Sequence, residues 1–424
     1  MTNFLAYAIL LLSLIVLIGF FNEKKTKLTY EIALMLFSIL IGTILTVIDA
    51  VINSQSVSEV LYSVQVFDLE DFLMKGVLCF MLFAGSCHMK LSDFKRLARP
   101  VGVLAVICTL LGAVFYGMLF YLAALLLKLP FTVPMCLMFG SIVAPTDPIA
   151  ATSILNKFGL PEDISFLIEG ESLLNDGVGV ALFVCFSGIV KAQGGEGFFQ
   201  VMFREIFGAV LIGAVVTSLC FVIFARTQDI KRQIFVSLLA VSLAYFLCEH
   251  FECSGAIASV VCGVLFAAFR QKEEEKRGGW ELPEFDGFWE VLDNLLNSIL
   301  YVILGFSFIR ILQMPYVFRL SVIAVICNLL ARFGSLYASS FIMGPIPGGY
   351  DRVSFSKLLT WGGLRGGLSI ALAMSTAPML SNEDYHIVLG CTYAIVFFTT
   401  IIQGLSMKRV YERIERERNG RIYN

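Results

Sequence analysis

The residues best suited to chemistry lie in the sixth apolar run of this chain, where residues 169–177 read EGESLLNDG. Glu169, Ser172 and Asp176 follow i, i+3, i+7 spacing, so on a helix they share one face. Asn175 adjoins that face. Ionisable residues at membrane depth cost several kcal/mol each and mark a functional site by default. The stretch therefore indicates a path for cations or protons.

Oxygen atoms are the ligands that hard cations prefer. A small monovalent cation could take Ser172 and Asp176, freed carbonyl groups near Thr146 and Asp147, and water. Ionised Asp176 binds a cation and protonated Asp176 does not, and burial favours the uncharged form of a carboxyl group. Proton and cation then compete for one place, which predicts exchange if the site faces each side in turn. Because Asn175 does not titrate, the simplest stoichiometry is one cation per proton.

Two apolar runs that must position this site are interrupted. The fifth contains Pro145 and Pro148, and each proline removes a backbone donor and clashes with a preceding carbonyl. The twelfth contains four glycines around Arg365, which weaken a helix. Interrupted spans at matching positions of two halves indicate a transporter site built from inverted repeats. The alternative is that both are ordinary Pro and Gly kinks, which are common in membrane helices.

Glu171 needs a cationic partner, because a buried unpaired carboxylate is costly. Arg332 and Arg365 are the candidates deep in other spans. We favour Arg332 for Glu171 and expect Arg365 to stabilise the broken-helix region. The alternative, that the acids of the sixth span are only structural ion pairs, is weakened because they outnumber the arginines. We expect three acids at the start of the tenth span to be interfacial rather than ligands: Asp286, Glu290 and Asp293.

Composition indicates a polytopic membrane protein. The 424 residues are 58% hydrophobic and only 15% charged, against about 25% charged in soluble domains. A net charge of −2 argues against a nucleic-acid partner. No GxxxxGK[ST] loop occurs, so transport would be driven by ion gradients. Neither the eleven cysteines nor the three histidines have metal-ligand spacing, so we expect no cofactor, only transported Na+, Li+ or K+ and H+.

The apolar runs predict an all-α protein with about thirteen transmembrane helices. Residues 1–407 would form a single transporter domain, with repeats at about 1–190 and 233–407 and a linker helix at about 205–225. Both interruptions then fall in the fifth span of a six-span half. The predicted spans are 4–21, 31–50, 72–88, 101–127, 133–155, 165–190, 205–225, 233–250, 255–269, 288–309, 317–343, 355–380 and 385–407.

Positive charge orients this layout, because short cytoplasmic loops carry an excess of Lys and Arg. With the N-terminus outside, 23 of the 31 Lys and Arg residues fall on the inner side and five on the outer side. The C-terminus is then cytoplasmic. Residues 408–424 form a short basic tail, most simply a solvated helix at an anionic inner leaflet. The short tail favours the plasma (inner) membrane of a bacterium.

Several motifs jointly resemble one family. Thr146-Asp147-Pro148, the run from Glu171 to Asp176, and the stretch 361–366 (WGGLRG) are similar to those of monovalent cation:proton antiporters of the NhaP and animal sodium/proton exchanger type. Ala331-Arg332 resembles another arginine of that family. The similarity runs in order from the third predicted span to the thirteenth.

The resemblance implies an inverted-repeat fold with broken, crossing helices 5 and 12, a homodimer with core and dimerisation domains, and an elevator-like movement. It implies that Asp176 carries the ion and the proton, that Ser172 is a ligand, and that Thr146 and Asp147 line the crossing. A sodium ion would then be held by Asp176, Ser172 and Thr146. The Asn-Asp pair matches the electroneutral branch. Many relatives have an acid near residues 82–85, where this chain has none, so cation preference is left open.

Two other classes of protein compete with an antiporter. A gated cation channel would carry current, but nothing here resembles a carbonyl selectivity filter. An intramembrane enzyme would need a catalytic motif, and no HExxH, GxSxG or paired-Asp protease pattern is present. We therefore expect a secondary antiporter that serves pH homeostasis, and not an enzyme.

Overall fold

The computed structural model describes residues 2–52, 69–89, 91–148, 151–152, 155, 158–191, 198–277, 282–308 and 317–422. Within these residues the chain is almost entirely helical, as predicted. The helices, numbered in chain order, are α1 (Thr2–Phe21), α2 (Tyr30–Ile52), α3 (69–87), α4 (91–126), α5 (Val133–Val143), α6 (Glu162–Val190), α7 (198–226), α8 (Ile230–His250), α9 (Gly255–Arg277), α10 (Pro283–Ser307), α11 (Val317–Met343), α12 (Arg352–Gly362), α13 (Gly367–Met374) and α14 (382–422).

Nine helices in the described ranges are long and apolar enough to cross a membrane. The interrupted elements α5, α12 and α13 are shorter, since each ends or begins at a break. The predicted all-helical, multi-pass class is confirmed. The number thirteen and the division into two repeats stay predictions. Part of the predicted span 133–155 lies outside the described residues.

Polar side chains fix where several helices begin. The first N–H groups of a helix lack intrahelical partners, and a side-chain oxygen at the preceding residue satisfies one of them. Asp229 accepts from the amide of Lys231 before α8 at 3.0 Å. Asp351 accepts from the amide of Ser354 before α12 at 3.2 Å. The cap at Asp351 sets the start of α12 and hence the position of the break that follows it.

Three groups of buried side chains hold the helices together, and two of them are built around aromatic rings. One surrounds the breaks and includes Tyr116, Phe120 and Phe139, with ring centroids 5.0 and 4.9 Å from Phe139 to the other two. The other joins α3, α7, α8, α9 and α10 around Phe83 and Trp289, whose rings lie 4.5 Å apart. All eleven cysteines are free and buried, as expected for small apolar residues.

The last helix differs from the sequence-based expectation. α14 continues without interruption through the predicted span end at 407 to Ile422. It packs on the connection before α12, where Tyr350 donates to a Glu415 carboxylate oxygen at 2.5 Å and Arg418 donates to the Gly348 carbonyl at 2.7 Å. Arg418 also lies over the ring of Tyr350. The expectation of a solvated tail helix is therefore wrong on this face, because aromatic and carbonyl partners bind it.

Candidate functional site

The two interrupted regions meet each other. α5 ends at Val143 and the chain is non-helical through Pro148, while α12 ends at Gly362 and α13 begins at Gly367. The amide of Asp147 donates to the carbonyl of Leu364 at 2.8 Å, a single antiparallel bridge. Backbone groups freed by a break need partners when they lie in the interior of a membrane protein. Here each break supplies a partner to the other.

Close approach at this crossing requires a residue without a side chain. A Cβ atom at Gly366 would lie 2.8 Å from Oδ2 of Asp147 and 3.1 Å from its Cβ. On the other side, a Cβ atom at Gly179 of α6 would lie 2.3 Å from Cγ of Pro145. Both glycines thus let three chain segments come together around Asp147.

Arg365 binds the break in α5 across a large sequence separation. Its Nη1 donates to the carbonyls of Ala144 at 2.6 Å and Pro145 at 2.8 Å, and its Nη2 donates to Oδ1 of Asn328 at 3.1 Å. Carbonyl groups left over by the helix break thereby receive a charged donor. The guanidinium stabilises the broken-helix region and is not the partner of Glu171.

The backbone of Arg365 is held by α14. Its amide donates to Oγ1 of Thr399 at 3.0 Å, and its carbonyl accepts from Oγ1 of Thr400 at 3.2 Å. Both threonines lie in a π-helical turn, Phe398–Gln403. Such turns occur frequently at functional sites, because they re-aim side chains within a helix. The turn brings two successive hydroxyl groups to one residue of the break.

Asn175 is fully engaged by Thr146. Its Nδ2 donates to Oγ1 of Thr146 at 2.8 Å, and its Oδ1 accepts from the amide of Thr146 at 3.3 Å. The hydroxyl groups of Thr146 and Ser172 share a hydrogen bond of 2.9 Å. All three side chains are buried. α6 is therefore locked to the α5 break by side chains that carry no charge.

Asp176 lies beside these hydrogen bonds and faces a cavity of about 430 Å³. Thr146 and Asp147 line the same cavity, whereas Ser172 lies behind Thr146 and does not. Asp176 is only partly buried, and it makes no hydrogen bond or ion pair with any residue that the structure describes. A carboxylate with open oxygen atoms in a cavity is ready to take a proton or a cation.

The wall of the cavity carries negative charge. Among the described residues that line it there are no Lys, Arg or His side chains. The carboxyl groups that line it come from three helices and one break: Glu31, Asp147, Glu169, Asp176 and Asp293. Low-dielectric walls of one sign raise the local concentration of counter-ions. The arrangement favours cations and protons and excludes anions.

The cavity adjoins the protein surface near the start of α6. Glu169 and Gly85 line both the cavity and a neighbouring pocket of about 520 Å³. That pocket also contains His88, Asp93 and Glu162. Since Glu162 begins α6 and His88 follows α3, access lies on the side where α6 begins and α3 ends.

Glu171 forms a buried ion pair with Arg332 of α11. The two Nη atoms donate to the two carboxylate oxygens at 2.6 and 2.9 Å, and the side chains are 1% and 6% exposed. This bidentate geometry is the strong form of such a pair. The pair joins α6 to α11, and Glu171 is therefore not among the acids of α6 that line the cavity, which are Glu169 and Asp176.

The sequence analysis did not identify two residues of the candidate site. Tyr301 of α10 donates to Oδ2 of Asp147 at 2.5 Å. Asp293, which we expected to be interfacial, lines the cavity instead. By contrast, Asp286 forms a bidentate pair with Arg270 of α9 at 2.7 and 3.0 Å. The missed signal was the i, i+4, i+8 spacing of Asp293, Asn297 and Tyr301, which places three polar residues on one helix face.

Comparison with known proteins agrees with this architecture. The model of the family described as "Sodium/hydrogen exchanger, transmembrane" matches residues 10–413. The Na+/H+ antiporter NhaP of Pseudomonas aeruginosa is 30% identical over 361 residues, which cover 82% of either chain. The Na+/H+ antiporter NhaH of Halobacillus dabanensis is 30% identical over 325 residues, 73% of this chain and 75% of that protein.

A solved structure has the same fold. The sodium proton antiporter MjNhaP1 from Methanocaldococcus jannaschii matches with a TM-score of 0.73 and 20% identity, over 95% of each chain. The family model covers nearly the whole chain, and the crossed breaks described above lie inside the matched residues. This chain is a member of the sodium/hydrogen exchanger family.

Proposed function

We propose that the chain is a secondary active antiporter that exchanges a monovalent cation, Na+ in the first place, for H+ across a membrane. Family membership and relatives named Na+/H+ antiporters support this proposal. The observation that carries it is the position of Asp176. Its carboxyl group faces an acidic cavity beside two crossed helix breaks and has no hydrogen-bond partner among the described side chains.

Competition at Asp176 would couple the two substrates. The ionised carboxylate takes the cation, with Thr146, carbonyl groups of the breaks and water as further oxygen ligands. Ser172 supports Thr146 through their shared hydrogen bond. A proton on Asp176 removes the charge and the cation leaves. Asn175 holds Thr146 in place and does not titrate, so each cycle carries one cation against one proton and is electroneutral.

The buried ion pair and hydrogen bonds of the site support alternating access of the elevator type. The pair Glu171–Arg332 and the contacts of Arg365 connect α6, α11 and both breaks through buried polar bonds. Breaking such bonds in each cycle would be costly, so we infer that these elements move as one body. The two inverted repeats (1–190 and 233–407) and a homodimer interface belong to the same proposal.

The excess of Lys and Arg on one side supports a layout with the N-terminus outside and the C-terminus in the cytoplasm of a bacterium, in the plasma (inner) membrane. In that layout the cavity opens inward, since Glu169 lies near the cytoplasmic end of α6. Cytoplasmic protons or cations then reach Asp176 past Glu169. The protein would contribute to pH homeostasis.

Reconstitution into liposomes tests the proposal. An inward gradient of Na+, Li+ or K+ is imposed and the internal pH is followed with a dye. We expect the interior to become alkaline as cations enter and protons leave, loss of exchange in Asp176→Asn, and full exchange in the matched control Glu284→Gln, an exposed acid of α10. Full exchange by Asp176→Asn would contradict the mechanism. Cation-dependent current without proton movement would indicate a channel instead.

A further inference from the structure

The wall of the cavity opposite α6 is formed by α2 and α10, and it has polar groups that the exchange mechanism does not use. Glu31 is buried near the start of α2, and Asp293, Asn294 and Asn297 lie along α10. Asp293 interacts electrostatically with Glu31 and with Asp147. Both of these neighbours are acids, so any charge that they carry is negative.

Asn297 is arranged as a cation ligand. Its Nδ2 donates to the carbonyl and to Oδ1 of Asp293, both at 3.0 Å. Its Oδ1 accepts no hydrogen bond from the described part of the chain, although the side chain is only 5% exposed. An amide oxygen and a carboxylate oxygen one helical turn apart are thus presented to the same cavity.

Ser369 of α13 adds an independent observation. It lines the cavity, is 1% exposed, and its Oγ has no hydrogen-bond partner among the described groups. A buried hydroxyl without a partner is costly unless water or another ligand satisfies it. The hydroxyl group of Ser369 therefore needs water or another ligand from the cavity as its partner.

The charges that line the cavity also indicate a second cation. Asp293 has no ion-pair partner in the part of the chain that the structure describes, and no described cationic side chain lines the cavity. A cation held at Asp176 neutralises one carboxylate only. Carboxylates taken from water without a counter-charge are strongly destabilising. A second positive charge near Asp293 would remove this cost when the site at Asp176 is occupied.

We propose that Asp293, Asn297 and Glu31 form a second binding site for a monovalent cation, the Asp293 site, next to the exchange site. No three His, Cys, Asp or Glu side chains among the described residues converge closely enough to hold a bare metal ion, so the cation keeps part of its water shell. The inference rests on the proposed function. The ion at the Asp293 site is not exchanged for a proton; the negatively charged wall that holds it raises the local concentration of cations for Asp176.

Sodium binding to the purified full chain tests this site directly. Equilibrium binding of radioactive Na+ at alkaline pH should give about two ions per chain, and about one in Asp293→Asn. The matched control Glu290→Gln removes the same charge from an exposed position of α10 and should keep about two. One ion per chain in the wild type, or two in Asp293→Asn, would overturn the proposal.

Transport separates this inference from the function on which it rests. In proteoliposomes, Asp293→Asn should raise the apparent KM for Na+ about tenfold or more with little change in maximal rate, whereas Asp176→Asn should lose exchange. Glu31→Gln serves as a second variant in case Asp293→Asn does not fold, and should weaken Na+ binding at the same site. An unchanged KM and an unchanged ion count in both variants would overturn the Asp293 site while leaving the antiporter intact. Absence of exchange in the wild type would instead refute the proposed function, whatever the ion count.

Discussion

Asn175 and Asp176 are sequence neighbours with opposite surroundings. The amide group of Asn175 is buried and saturated by Thr146, while the carboxyl group of Asp176 faces the cavity with its oxygen atoms open. A neutral residue is therefore used where bonds must persist, and a titratable one where they must change. The donors Tyr301 and Arg332 likewise bind acids other than Asp176: Tyr301 donates to Asp147, and Arg332 donates to Glu171.

Removing the phenol of Tyr301 tests whether Asp147 must be held in place. A hydrogen bond to a charged group contributes about 1.5–3 kcal/mol, and about 1.4 kcal/mol corresponds to tenfold in affinity. We expect Tyr301→Phe to raise the apparent KM for Na+ roughly tenfold. Tyr116→Phe is the matched control, since the equally buried hydroxyl of Tyr116 has no hydrogen-bond partner in the described structure. Equal KM values in both variants would show that the Asp147 contact is dispensable.

The pair Glu171–Arg332 yields a stability prediction. Loss of one partner leaves a buried charge unpaired and costs about 3–5 kcal/mol, whereas an apolar pair of similar volume is often neutral. Glu171→Leu and Arg332→Met should each lower Tm strongly in detergent, and the double variant should recover most of the loss. Arg413→Met, which removes an exposed pair with Glu417, should change Tm little. A double variant as unstable as the sum of the singles would contradict this account of the pair.

At the scale of elements, the site depends on how closely the two breaks approach. The bridge from Asp147 to Leu364 and the contacts of Arg365 require that residue 366 have no side chain. Three elements with different local sequences, α6 and the regions around both breaks, thereby form one unit. α14 completes it through Thr399 and Thr400.

Gly366→Ala tests this packing. The new methyl group would lie 2.8 Å from Oδ2 of Asp147, so the crossing must open, and both the exchange rate and Tm should fall. Gly188→Ala in α6 is the matched control, since a Cβ atom there meets nothing within 4 Å. Alanine also favours a helix over glycine by about 1 kcal/mol, so the control should be neutral or slightly stabilising. Normal exchange by Gly366→Ala would refute the tight crossing.

The sequence predicted features that depend on local chemistry. The breaks follow from Pro145, Pro148 and the glycines around Arg365, because proline and glycine act on their own segment. It could not predict the partners of Arg365, whose carbonyl acceptors lie about 220 residues away. It also misplaced Asp293, since whether a residue near a helix start faces water or a cavity depends on the rotation of that helix against its neighbours.

At the scale of the whole molecule, the acidic cavity and the membrane-depth acids are features suited to a protein that moves cations. The nine apolar helices, the family match and the match to a solved antiporter agree on the architecture. In the mechanism that we propose, what the molecule transports per cycle depends on a single titrating carboxyl group, that of Asp176.

Electroneutral exchange predicts independence of voltage. If one cation moves against one proton, no net charge crosses the membrane, so a potassium diffusion potential set with valinomycin should leave the Na+/H+ exchange rate unchanged. The measurement uses proteoliposomes at equal ionic strength, with the potential varied in both directions. A rate that follows the sign of the potential would mean that more than one charge of one kind is carried, and a second acid would have to take part.

The dependence of the apparent KM for Na+ on pH tests the central claim most directly. If H+ and Na+ compete for Asp176, each unit of pH below its titration range should raise KM about tenfold by mass action, while the maximal rate at saturating Na+ stays the same. Proteoliposome exchange, measured over a range of pH values with equal pH on both sides, gives both quantities. A KM that does not change with pH, together with a maximal rate that falls as pH falls, would show that proton and cation occupy different sites.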